Sequence, residues 1–96
     1  MDGQEYFDAL KGAVEQMHEC KAFHVGGESV KEFFRDELVW DGRVEVFALE
    51  GHPKAKRAYA WSYEDKGQTK FIAVLEIPPV EDSRSAVRVA IASGDA

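Results

Sequence analysis

The sequence predicts an α+β fold: an antiparallel meander of three to four strands, packed by an N-terminal helix and a C-terminal helix. Three observations carry that expectation. Tyr6, Phe7, Leu10, Val14 and Met17 recur at helical spacing near the start of the chain. Between residues 43 and 77, strand-like segments alternate with Gly- and Pro-containing breaks. Near the end, Ala86, Val87, Ala90 and Ile91 return to helical spacing. A chain of 96 residues is expected to form one domain spanning 1–96. Folding at this size hides roughly 60–65% of the extended chain's area, which suffices for a single two-layer core.

The elements follow in order. A helix is expected over 3–19, with Asp2 accepting from its first amides and Glu5 three residues on, a variant of the capping box. Gly12 inside it costs up to ~1 kcal/mol relative to Ala, which a packed stripe absorbs. Ala22, Phe23 and Val25 suggest a short strand ending at Gly26-Gly27. The stretch 29–40 carries two competing signals. Val30, Phe33, Phe34, Glu37 and Leu38 fit a short helix capped by Ser29 and ending near Arg35. Asp41-Gly42, between ELVW and RVEV, is instead a hairpin signal, because a type I′ turn needs positive φ at both central residues. The compromise is a short helix to Arg35 and then a hairpin about Asp41-Gly42.

The remaining elements are plainer. Strands are expected over 43–49, 56–64 and 68–77, broken by Gly51-His52-Pro53 and by Glu64-Asp65-Lys66-Gly67. Pro78-Pro79 ends the third, since proline lacks the amide that a ladder needs. Ser83 is the expected cap of the last helix and Gly94 its stop.

Composition bounds the function. The chain is 45% hydrophobic and 31% charged, unlike a disordered or collagenous sequence. No apolar run approaches the ~20 residues of a membrane-spanning helix. The opening MDGQEYFDAL is acidic, whereas a secretory leader begins with a basic segment. Cys20 is the sole cysteine, which excludes an internal disulfide and points to a reducing, cytoplasmic setting. The net charge is −6, and residues 1–50 hold twelve acids against five bases. Such a chain is repelled by phosphate backbones, so nucleic acid and anionic membranes are not the expected partners.

One segment gathers candidate contact residues. His52, Lys54, Lys56 and Arg57 precede an aromatic ladder, Tyr59, Trp61 and Tyr63, on one face of the strand 56–64. The opposite face carries Ala58, Ala60 and Ser62, small enough for a helix backbone to approach. Aromatics spaced along a strand serve as a core, as the apolar centre of a protein interface, or as a base-stacking platform. The core reading leads, with a protein interface second. His52 is the one candidate acid/base of the segment, against the plainer reading of a turn with solvated charges.

His18, Cys20 and His24 do not match the paired short spacings of zinc sites, so no metal is expected, nor any cofactor. Cys20 reads as a small buried hydrophobe. No nucleophile elbow, phosphate-cradling loop or dinucleotide fingerprint occurs in the sequence.

The leading expectation is therefore a small acidic cytosolic protein of bacterial type, acting as a non-enzymatic protein-interaction or regulatory module. An exposed edge strand or the aromatic face would meet a protein partner or a second copy, with Asp36 and Glu37 facing Lys54 or Arg57 across a homodimer. In layout alone, helices about a meander, the chain resembles small bacterial RNA-cleaving toxins. That resemblance implies the alternative, an enzyme centred on residues 51–63, and rests on no motif. A third expectation is an acidic decoy of nucleic acid using the N-terminal half.

Overall fold

A computed structural model describes residues 3–94. Helix α1 (Gly3–His18) leads into strands β1 (Lys21–Phe34), β2 (Glu37–Glu50), β3 (Arg57–Asp65) and β4 (Gln68–Leu75), and helix α2 (Ser83–Ala92) closes the chain. The four strands form one antiparallel sheet in the order β1-β2-β3-β4, a plain meander. The proposed Asp2 cap lies outside the described residues.

The sheet has a helix on each face. Strand alternation on β3 sorts the core into two halves. Ala58 and Ala60 turn to α1 and pack with Leu10, Val14, Ala22 and Phe47. Tyr59 and Trp61 turn the other way and pack with Val30, Val44, Val46 and the α2 residues Ala86, Val87 and Ala90. Small side chains thus lie under α1, while the aromatic rungs fill the deeper layer under α2. Met17, assigned to the α1 stripe, is half exposed at the helix end.

The stretch 29–40 departs from the sequence expectation. Residues 29–34 belong to β1, with no helix, and Asp41-Gly42 lies inside β2 opposite Lys31 and Val30. The hairpin turn is Arg35-Asp36, with φ of 53° and 65°, and it joins the pair Phe34↔Glu37. Both central residues are left-handed, the type I′ requirement, and aspartate tolerates that region better than most residues. The helical spacing of Val30, Phe33, Phe34 and Leu38 was coincidental. In the strand, Val30 and Glu32 point inward at a period of two, while Phe33 and Phe34 stand out in solvent. Gly42 serves packing, because a Cβ there would lie 3.0 Å from the Trp40 ring.

The β1–β2 hairpin is much longer than its attachment to the sheet. Only Glu45–Ala48 of β2 pair with β3, at Arg57–Ala60, and the outer half of the hairpin pairs with nothing but itself. Two register shifts, at His24/Gly26 and Glu32/Phe33, twist it. At α2 the N-cap is Asp82, one residue before the expected Ser83. Its carboxylate accepts from the Ser85 amide, and the Ser85 side chain closes a capping box. Ser83 is buried, and its hydroxyl donates to Glu28 on β1 at 2.8 Å.

Candidate functional site

The segment 51–63 does not form an open cleft. Tyr59 and Trp61 are each 2% exposed, inside the layer between sheet and α2, so neither presents a face to a ligand or partner. The Tyr59 hydroxyl donates to the Glu76 carboxylate and lies 3.3 Å from the Glu81 carbonyl. Burial, together with the Glu76 carboxylate beside it, pushes the Tyr59 phenol well above its ordinary range. Tyr63, at the strand's far end, is exposed.

His52 is held by its own turn. Its Nδ1 accepts from the amides of Lys54 and Ala55, each at 3.0 Å. An accepting Nδ1 carries no proton, so the hydrogen of the neutral ring sits on Nε2. The ring meets His18 edge-on at 6.3 Å between centroids. Lys54, Lys56 and Arg57 are exposed beside it. The three cations are therefore open to solvent, whereas Tyr59 and Trp61 are covered by α2.

Two buried carboxylates, neither singled out from sequence, organise the hairpin. Glu45, 1% exposed on the α1 face of β2, accepts from the His24 imidazole at 2.8 Å and from Arg43 Nε at 2.6 Å. Phe7 of α1 stacks on His24 with centroids 4.3 Å apart. Gly27 makes the approach possible, since a Cβ there would overlap the Arg43 guanidinium and a Glu45 oxygen. On the opposite face Glu32, also buried, accepts from Arg88 of α2 at 2.6 Å, with Arg84 at 4.0 Å. A buried carboxylate survives only if paired, and each of these has two cationic or imidazole partners. Glu45 shares its strand face with Phe47, which packs under α1, while Val44 and Val46 face α2; that shared parity with Phe47 is the one sequence signal of its burial.

His18, Cys20 and His24 are pulled apart. His18 Nε2 bonds the Ala73 carbonyl at 2.9 Å, His24 joins Glu45, and half-buried Cys20 has its thiol pushed up by burial and by Glu15. Among the described residues no three His, Cys, Asp or Glu side chains stand together as metal ligands.

One end of the molecule carries a group of exposed apolar side chains. Phe33, Phe34, Leu38 and Val39, between 45% and 63% exposed, crowd the tip of the β1–β2 hairpin. The Arg35 guanidinium lies 5.2 Å over the Phe34 ring. A hollow of about 310 Å³ continues from Phe33, Phe34 and Val39 to Arg88, Ile91 and Ala92 of α2. The sequence expectation took Asp36 and Glu37 of this segment as a polar rim but did not single out the exposed Phe33, Phe34, Leu38 and Val39. In comparison with known proteins, no family model, no curated protein and no solved structure matches the chain.

No helix among the described residues is long and apolar enough to cross a membrane.

Proposed function

We propose that the chain is a non-enzymatic protein-interaction or regulatory module of the cytoplasm, and that it docks through the tip of the β1–β2 hairpin. The observation that supports this reading is the concentration of four large apolar side chains at one projecting end, Phe33, Phe34, Leu38 and Val39. Exposed patches of this kind mark contact surfaces more often than accidents of folding. Arg35, Asp36 and Glu37 at the turn and Lys31 opposite Asp41 border the tip, so the fitting partner is a protein with an apolar face and a rim of mixed charge.

The RNA-cleaving alternative fares worse. It sets His52, Lys54, Lys56, Arg57, Tyr59 and Tyr63 around a substrate, and of these Tyr59 lies under α2, closed to any ligand. It also sets a chain of net charge −6 against a polyanion.

The test is a photo-crosslinking residue placed at Phe34, compared with one at Lys11 on α1, in the source cells. Capture of one defined protein from Phe34 alone, abolished by Phe33→Ser at an unchanged melting temperature, supports the reading. Equal capture from Lys11, or capture indifferent to Phe33→Ser, rejects it.

A further inference from the structure

We infer that the outer edge of β4 is a self-recognition edge, on which a second copy of this chain pairs antiparallel in a register centred on Ala73. This surface is separate from the hairpin tip, and either can fail without the other.

The two edges of the sheet are built differently. β1 carries the protections that sheet edges normally have: a register shift beside Val25, adjacent glycines 26 and 27, and Lys21 and Lys31 along its length. β4 has none of these over Phe71-Ile72-Ala73-Val74-Leu75. It runs beside β3 from Gln68 to Leu75 without a register shift, and all five of these apolar residues remain partly exposed. Met17, Tyr63, Val89 and Ser93 flank a hollow of about 290 Å³ along it.

The backbone direction follows from two independent bonds. Glu76 N–H donates to the Arg57 carbonyl at 2.9 Å, so Glu76 and alternate residues before it face β3. Phe71, Ala73 and Leu75 then face outward. The His18 side chain, reaching the Ala73 carbonyl at 2.9 Å from outside the sheet, agrees.

In an antiparallel pair, outward residues must oppose outward residues. Centring on Ala73 satisfies this and overlaps the whole apolar run, with Phe71 opposite Leu75 and Ile72 opposite Val74 of the second copy. It also sets Lys70 of each chain opposite Glu76 of the other, at both ends of the run. Opposite charges facing across strands are favourable, and like charges are not. Shifting the register by two residues either way shortens the apolar overlap and separates Lys70 from Glu76. The contact is isologous and therefore closes as a two-fold dimer. The imidazole of His18 gives up the Ala73 carbonyl, which accepts instead from the Ala73 amide of the second copy.

Sedimentation and a register-specific crosslink test the proposal together. The chain should sediment at twice its 10.7 kDa mass. Lys70→Glu, at an exposed position, should raise the dimer dissociation constant about five-fold or more by opposing Glu76, as expected for cross-strand charge pairs of up to ~1 kcal/mol. In a Cys20→Ser background, Ala73→Cys should form an intermolecular disulfide on mild oxidation. Facing residues in such a pair have Cα atoms about 5.5 Å apart, within disulfide reach. Val25→Cys on β1 should not crosslink. A monomer at all concentrations overturns the proposal, as does a dimer that crosslinks through Val25 or ignores Lys70→Glu. Should Ala73→Cys fold poorly, Lys70→Glu decides alone.

Discussion

Trp40 meets Trp61 edge to face, with ring centroids 5.6 Å apart and planes at 71°. The contact spans the gap where β2 leaves β3, since Trp40 belongs to the free outer half of the hairpin and Trp61 to the core under α2. Aromatic pairs in this geometry contribute ~0.5–1.5 kcal/mol beyond their burial.

The two indoles should therefore report separate environments. In Trp40→Phe, the remaining Trp61 is expected to emit at short wavelength and resist iodide. In Trp61→Phe, the half-buried Trp40 is expected to be quenched in part. Trp61→Ala should lower stability in urea by about 3–5 kcal/mol, the range for emptying a large aromatic site. A freely quenched Trp61 contradicts the fold.

Gly27→Ala should destabilise the chain by about 1–3 kcal/mol, because the added methyl falls on the Arg43 guanidinium and a buried oxygen of Glu45. Arg43 is half exposed and its end can swing away, so Arg43→Ala should relieve part of the cost. A double-mutant cycle by denaturant titration measures that coupling, and additive effects exclude the overlap.

Tyr59 predicts an alkaline limit. Its folded pKa is raised above the unfolded value near 10, so its contribution is complete below about pH 10 and is lost as pH rises through the folded value. Stability should fall above pH 10 in the parent and fall less steeply in Tyr59→Phe. Parallel slopes from thermal melts across that range would exclude the linkage.

Asp82 predicts an acid limit of opposite sense. The Ser85 amide and hydroxyl hold its carboxylate below the ordinary aspartate range. Its contribution is present above the unfolded pKa near 3.9 and is lost as pH falls through the lowered folded value. Asp82→Ala should cost about 1 kcal/mol at neutral pH, as N-cap removals do, and nothing further in acid.

Replacing Arg35-Asp36 by Asn-Gly should raise stability by about 1 kcal/mol, since both positions hold positive φ that these residues adopt with less strain. The same replacement at Asp41-Gly42 should bring no gain, because that pair sits mid-strand.

Much of the fold was legible because one signal dominated in each place. The 3.6-residue stripe of α1, the alternation of β3 and the stop at Pro78-Pro79 each admit one solution, and the meander follows from the short connections. The stretch 29–40 was not legible, because Val30, Phe33, Phe34 and Leu38 fit a helix as well as a strand. An Asp-Gly pair also advertised a turn that long-range pairing with β1 overrode. The candidate site was less legible still. A buried glutamate such as Glu45 looks like any surface acid until Arg43, His24 and Gly27 converge on it. Phe33 and Phe34 resemble core residues until the turn places them at the outer end of the hairpin, past the reach of β3.

The slender attachment of the β1–β2 hairpin has a thermodynamic corollary. Its outer half is fastened to the body by Trp40 against Trp61, Val30 in the α2 layer and the Glu32–Arg88 pair, with no β3 ladder behind it. Such a limb loosens at lower free energy than the four-stranded platform, and its amides should trade deuterium first. A partner docked on Phe33 and Phe34, as proposed, would stiffen that limb and give up part of its binding free energy in doing so.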